Sequence, residues 1–152
     1  PGAVEVMQQR GLPQARLAAV EDLTEEKFDT IFLMMNGIGI VGDLEGLEDF
    51  LERAQSLLRP GGQILFDSSD LIYLYAQEIS LDGDMEFRIP FPKDRYYGVI
   101  EYQMEFGGHK GDPFLWLYVD FPRVESLARK LGFKVELIYR GTHFEYLARL
   151  SV

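Results

Sequence analysis

The sequence predicts an α/β fold built on a parallel sheet. Three observations carry that reading: an almost uniformly apolar run at residues 28–35, a helical repeat just after it, and a second short apolar run at residues 63–67. An apolar run without alternation suits a strand covered on both faces, as parallel sheets require. The first run stops at Asn36-Gly37. Leu44, Leu47, Leu51, Ala54 and Leu58 then recur at intervals of three and four, with Phe50 and Leu57 widening the stripe of a helix with one buried face. Arg59-Pro60-Gly61-Gly62 ends that helix, and strand, helix and strand in this order predict a right-handed parallel crossover.

The flanking elements follow from local chemistry. Pro1 at a first helical position and Gly11 at a usual stop predict a short helix over residues 1–10. No capping Ser, Thr or Asp precedes Pro1, so the domain reads as cut at its N-terminus. Residues 15–20 are expected to form a short strand before the acidic turn Glu21-Asp22. From residue 95 to 106 apolar Tyr96, Ile100, Tyr102, Met104 and Phe106 alternate with Glu101, Gln103 and Glu105, the mark of a half-buried strand. Residues 107–113 turn the chain and residues 114–119 return, which predicts a hairpin. Asp120-Phe121-Pro122 opens a helix with the stripe Val124, Leu127, Ala128 and Leu131, closed by Gly132. Strands over residues 134–139 and 144–150 are separated by so short a link that they must be antiparallel, because a parallel pair needs a crossover of about a dozen residues or more.

Composition narrows the function classes. With 152 residues, 47% of them hydrophobic, the chain suits one domain with a real core. A formal charge of −10 repels phosphate polymers, so nucleic acid is disfavoured as partner, although Lys93, Arg95 and Lys110 could form a local basic groove. No apolar run approaches the ~20 residues of a membrane-spanning helix, and a cytoplasmic location is the default expectation. There is no cysteine, and His109 and His143 have no metal-ligand spacing, so no metal is expected.

Residues 28–31 (Phe-Asp-Thr-Ile), Asn36 at the strand end, and the phrase Leu57-Leu58-Arg59-Pro60-Gly61-Gly62-Gln63-Ile64-Leu65 closely resemble the fourth- and fifth-strand region of class I S-adenosylmethionine-dependent methyltransferases. Leu131-Gly132-Phe133 before the terminal hairpin matches that family's C-terminal pattern, and the opening helix matches its helix after the second strand. The resemblance implies a Rossmann-like methyltransferase sheet, C-terminal antiparallel hairpin included. It makes residues 1–152 a single, N-terminally truncated domain, with residues 71–119 inserted as a cap over the acceptor. The family's glycine-rich cofactor loop and ribose-binding acidic residue would lie before Pro1.

The resemblance also assigns candidate roles, each with a plainer alternative. Glu21 and Asp22 fall where the family contacts the cofactor's adenine, although in strict register the family's usual Asp falls on Ala19; a solvated acidic turn explains them equally. Asn36 and Gly37 fall where the methionine part of S-adenosylmethionine meets the acceptor, or merely form a turn with Gly39 and Gly42. Asp67 and Asp70 end the second core strand, where a carboxylate can act as general base, and Ser68 can contact the acceptor or, like Ser69, cap a helix. Tyr73 and Trp116 belong to an aromatic-rich insertion that can wall an acceptor pocket or simply pack. The expected reaction is methyl transfer from S-adenosylmethionine to a small-molecule acceptor. The alternative is a non-catalytic module that pairs with a protein or with itself through the sheet edge that an absent first strand would expose.

Overall fold

None of the described residues before Phe28 joins a sheet. The computed structural model describes residues 2–79, 85–87 and 90–152, with 76–79 and 85–87 described by backbone alone; positions 80–84, 88 and 89 of the expected cap lie outside the described residues. Helix α1 (Gly2–Gln9) forms as expected and stops before Gly11, whose φ of +85° suits glycine. It buries none of its residues. The strand expected at residues 15–20 is absent: irregular backbone leads into a 3₁₀ turn at Val20–Asp22. A strand persists only where its N–H and C=O groups find a ladder, and this segment is fastened otherwise. The Arg53 guanidinium donates to the Glu21 and Leu23 carbonyls.

Strand β1 (Phe28–Leu33) ends before Met34 because Met35 and Asn36 both take positive φ, +60° and +52°. A 3₁₀ turn (Gly37–Val41) follows, then helix α2 (Leu44–Leu57), whose N-cap Asp43 accepts from the Gly46 N–H at 2.9 Å. Strand β2 (Leu58–Ser69) starts earlier than the sequence suggests, because Leu58 already pairs with Phe28. The register shifts before Thr30, and Gly61 has φ +76°, so the helix stop is absorbed into an irregular strand start. Beyond it β1 and β2 run parallel, Ile31 opposite Ile64 and Leu33 opposite Phe66, as the crossover predicts.

The expectation of two-sided burial for residues 28–35 is corrected. Ile31 and Leu33 are half-buried against the core, whereas Phe32, on the opposite face, is 65% exposed. Among the described residues β1 pairs only with β2, which leaves its other edge unpaired.

After β2 come a 3₁₀ turn (Leu71–Leu74) and three small antiparallel pairs outside the main sheet. These are β3 (Ala76–Ile79) with β4 (Met85–Phe87), β5 (Val99–Tyr102) with β8 (Phe114–Leu117), and β6 (Glu105–Phe106) with β7 (His109–Lys110). The hairpin expected over residues 95–119 is therefore present but interrupted, with a tip turning on Gly107 and Gly108, both at positive φ.

Helix α3 (Phe121–Lys130) is capped by Asp120, whose Oδ1 accepts from the Arg123 N–H at 2.8 Å. Strands β9 (Lys134–Arg140) and β10 (Glu145–Ser151) form the antiparallel hairpin that the short link demands. The second strand of that hairpin, not the first, lies beside β2, giving the sheet order β1-β2-β10-β9. Leu47 and Leu51 of α2, Val124 and Ala128 of α3, and Ile64, Phe66, Ala148 and Leu150 of the strands share one core. No helix among the described residues is long and apolar enough to cross a membrane.

Candidate functional site

The carboxyl ends of β1 and β2 are adjacent, and open α/β sheets bind ligands at such ends. The left-handed backbone at Asn36 turns its N–H onto Asp67 Oδ2 at 2.9 Å. Its side chain spans three elements: the amide donates to the Leu117 carbonyl at 3.1 Å, and Oδ1 accepts from Ser68 Oγ at 2.7 Å. Ser68 Oγ in turn accepts from the Val119 N–H at 3.2 Å. Asn36 therefore binds the end of β1 to β2 and to the strand returning from the hairpin. Ser68, expected to touch an acceptor, is 1% exposed and is a buried bridge instead. Its position on the inward face of β2, with Ile64 and Phe66, decides this.

The two candidate bases differ. Asp70 Oδ1 caps the Leu71–Leu74 turn by accepting from the Ile72 N–H at 2.9 Å, and it also accepts from the Tyr97 hydroxyl at 2.7 Å. Asp67 Oδ1, by contrast, is shielded from solvent and has no hydrogen-bond partner among the described residues. A buried carboxylate oxygen left in that state is costly and calls for a donor.

Two aromatic candidates stand on different supports. Trp116 lies across the backbone of Gly39: a Cβ built on Gly39 would fall 2.1 Å from the indole Nε1, so glycine is required for this close approach. Tyr73 stacks on Phe144 with ring centroids 5.4 Å apart and remains partly exposed. Tyr118, two residues beyond Trp116, shares a hydroxyl contact of 3.1 Å with Tyr102, and that bond with burial pushes its pKa up to about 12.

The residues that sequence reasoning missed as a group are Tyr96, Tyr97 and Asp120. The Tyr96 hydroxyl donates to Asp120 Oδ2 at 2.6 Å and accepts from the Asp120 N–H at 3.0 Å. Arg123 sits 5.3 Å from the centre of the Tyr96 ring. Burial pushes both tyrosine hydroxyls well above the ordinary tyrosine range; hydrogen bonding to Asp120 adds to it at Tyr96, and hydrogen bonding with Tyr96 and Asp70 adds to it at Tyr97. Both keep their protons and act as donors. The aromatic alternation at 95–106 was visible in the sequence, but the partners of these hydroxyls are more than 20 residues away.

A groove of about 940 Å³ runs between the N-terminal segment and the β1–α2 connection, walled by Val20, Glu21, Leu33, Ile40, Phe50 and Arg53 among others. That volume lies within the roughly 300–1,000 Å³ of small-molecule sites. Glu21 is on its wall; Asp22, Asn36 and Gly37 are not. Asp22 Oδ2 instead accepts from the Ala19 N–H at 2.9 Å, closing its own turn. The groove thus joins Glu21 to the turn following Asn36-Gly37, through Ile40 and Val41, and not to those two residues themselves. His109 and His143 are exposed, and no group of three or more metal-ligating side chains among the described residues could hold an ion.

No protein-family model and no curated sequence matches the chain. Among solved structures, a SAM-dependent methyltransferase from Bacteroides fragilis in complex with S-adenosyl-L-homocysteine aligns over 100% of the chain at 44% identity, with a TM-score of 0.84. The alignment covers 60% of that protein, so the chain spans less than two thirds of the length of this relative. At 13% identity, an S-adenosylmethionine-dependent methyltransferase from Clostridium acetobutylicum shares the fold over 97% of the chain and 68% of its own, with a TM-score of 0.57. CalS10, an amino pentose methyltransferase from Micromonospora echinaspora, shares the fold over 99% of the chain and 70% of its own at 10% identity, with a TM-score of 0.55.

Proposed function

The chain is related by fold and by sequence to S-adenosylmethionine-dependent methyltransferases, and from that premise we propose that it serves the transfer of a methyl group from S-adenosylmethionine to a small-molecule acceptor. The observation that carries this reading is the alignment of its full length with a methyltransferase solved with S-adenosyl-L-homocysteine. The groove beside Glu21 fits the cofactor's adenosine end. Val20, Leu33 and Ile40 offer an apolar surface for a flat base, and the Glu21 carboxylate can accept from an exocyclic amine. When bound, the cofactor supplies an electrophilic methyl on a sulfonium.

The chain's own contribution is proximity and orientation. Asn36 fixes the end of β1 against β2 and β8, so the floor between groove and aromatic hairpin is held at three points. Asp67 is the proposed base, because its Oδ1 is a buried carboxylate oxygen at this edge that lacks a donor, whereas Asp70 Oδ1 already accepts two. Tyr73 and Trp116 are proposed to face the acceptor, and residues 71–119 to cover it. The charge of −10 favours neutral or cationic acceptors over phosphate-bearing ones.

Calorimetric titration of S-adenosyl-L-homocysteine into this chain and into the complete polypeptide as encoded tests the reading. Binding by either supports it, and binding by neither overturns it. Replacing Asp67 by Asn should slow methyl transfer by about 10²-fold or more if the residue is the base; an unchanged rate removes that role.

The unpaired edge of β1 favours a second reading, a module that pairs with another chain. Phe32 is exposed beside a free row of N–H and C=O groups, the arrangement that invites strand addition. A non-catalytic protein of this kind would bind no S-adenosyl-L-homocysteine and would associate in sedimentation.

A further inference from the structure

The aromatic hairpin leaves the body of the molecule through two roots, residues 96–98 and 117–120. The second root is pinned by Asn36, through the Leu117 carbonyl, and by Ser68, through the Val119 N–H. Tyr146 adds a third tie, its hydroxyl donating to the Val119 carbonyl at 2.8 Å. The first root is held by two adjacent tyrosines that go separate ways. Tyr96 binds Asp120, which joins the two roots to each other. Tyr97 binds Asp70, on a different element altogether, the cap of the turn that carries Tyr73.

Around Tyr97 the packing is aromatic. Its ring lies 5.3 Å from Phe91, 5.9 Å from Tyr75 and 4.5 Å from Tyr96, centre to centre, and its carbonyl accepts from the Tyr75 hydroxyl at 3.2 Å. Asp120 Oδ2 is 3.5 Å from the Tyr97 hydroxyl, already at the outer limit of a hydrogen bond, and is occupied by Tyr96. The Tyr97 proton therefore belongs to Asp70. Their bond is the side chain to side chain polar link between the turn bearing Tyr73 and the root of the hairpin bearing Trp116, and the bond from the Tyr75 hydroxyl to the Tyr97 carbonyl runs beside it.

We propose that Tyr97 and Asp70 are a positioning pair that fixes the spacing between these two aromatic sides, and so sets which acceptors the wall admits. The pair rests on the methyltransferase reading for the purpose of the wall, but not for its own existence. Asp70 then acts through Tyr97 and through the Ile72 N–H, and is not the base that its place at a strand end suggests.

The test uses the complete polypeptide as encoded. Trp116 is its reporter, being the single tryptophan in these 152 residues; any tryptophan elsewhere in the polypeptide is replaced by Phe in every form compared. Amide exchange at residues 71–74 and 114–117, together with the emission of Trp116, is compared for Tyr97→Phe, Asp70→Ala, Asp70→Asn and the double variant Tyr97→Phe/Asp70→Ala. Phe keeps the ring packing and removes only the donor.

Exchange in both segments should rise about tenfold in Tyr97→Phe and in Asp70→Ala, the factor that one hydrogen bond of ordinary strength confers on local opening. The Trp116 emission should shift in both. Asp70→Asn keeps an acceptor oxygen for Tyr97 and should stay close to the parent. The double variant should be no worse than Asp70→Ala, because the two changes remove the same bond.

Unchanged exchange and emission would overturn the proposal. So would a uniform rise that includes α2 and α3, which marks a general loss of stability, or effects that simply add in the double variant. If Tyr97→Phe does not fold, Asp70→Ala against Asp70→Asn decides the matter at residues 114–117 and in the Trp116 emission, since Asp70→Ala also removes the cap on the Ile72 N–H and so loosens residues 71–74 by itself. Affinity for S-adenosyl-L-homocysteine, measured on the parent, reports separately on the functional reading: its absence would sink that reading and leave the positioning result standing.

Discussion

The two flanks of the β2 strand are built from similar residues and end up in opposite states. On the β10 side, Ile64, Phe66, Ala148 and Leu150 are all 0% exposed, and α3 closes over them. On the β1 side, Phe32 is 65% exposed and Leu17 69%, and α1 buries nothing. Hydrophobicity does not separate the two regions; neighbours do. A strand with a ladder on each edge and a helix on one face buries its inward apolar residues completely, whereas the inward Ile31 and Leu33 of the single-sided β1 reach only half burial and Phe32 on its outer face stays at the surface. With 8 residues, α1 is shorter than the ~12–15 that an isolated helix needs. None of its residues is buried, so packing does little to replace that length.

The sharpest way to break this contrast is to remove a large side chain from each flank. Phe66→Ala deletes a ring with no exposed surface that meets Tyr146 edge-on, with centroids 6.0 Å apart. Urea denaturation should show a loss of about 3–5 kcal/mol. Leu17→Ala should stay within about 0.5 kcal/mol, as surface changes do. Equal losses would mean that the N-terminal segment is as much a part of the cooperative unit as the β10 flank.

Asn36 stands on the boundary, at the end of the open strand but tied to the closed one. Asn36→Ala removes two side-chain bonds and leaves a β-carbon at φ +52°, so the same denaturation should register about 2–3 kcal/mol. Asn36→Gly loses the same bonds without the strained φ and should be milder by about 1 kcal/mol. If the two variants were indistinguishable, the left-handed turn would not be under strain.

How much of this was legible in the sequence follows the same division. The stripe of α2, the helix start at Asp120, and the antiparallel terminal hairpin depend on neighbours a few residues away, and those parts of the fold were readable. Residues 15–20 have strand-like composition, but a strand is a property of a pair, and the partner is not written in the segment itself. The site was harder still. Asp67, Ser68 and Asp70 lie together at one strand end, yet one has an unsatisfied oxygen, one is buried beneath Asn36, and one serves Tyr97. Partners separated by 27 to 51 residues make that difference.

A change that touches association and not folding tests the open edge itself. Thr30→Lys places a charge in the middle of β1, on the face away from α2, beside Gln63, whose amide it would release from Thr30 Oγ1. Lysines are among the devices by which edge strands avoid pairing. If the edge associates, sedimentation of the 152-residue chain should shift toward monomer in this variant while its urea midpoint changes little. A parent chain that is already monomeric would show that the edge does not recruit a second copy.

The smallest expected effect concerns how the N-terminal segment is held. Arg16 pairs with Glu26 at 2.5 Å, which ties the irregular residues before β1 across their own turn, and both side chains are substantially exposed. The hydrogen bond from Arg16 holds the Glu26 carboxyl below its ordinary value of 4.5. A carboxyl whose pKa is lower folded than unfolded binds fewer protons in the native state near and below that ordinary value. Its contribution is therefore complete above the unfolded pKa and is lost as the pH falls through the folded one. Protection of the amides at residues 20–27, measured against their intrinsic exchange rate at each pH, should fall on acidification below about pH 4.5, with protection in β10 unaffected over the first part of that range. Arg16→Gln should weaken the pH dependence in that segment, since the largest cause of the lowered carboxyl is gone while the backbone hydrogen bonds to it remain. Salt should weaken it in the parent, because so exposed a pair is screened. If β10 responded at the same pH as residues 20–27, the two flanks would open together, and the contrast between them would be one of burial alone and not of stability.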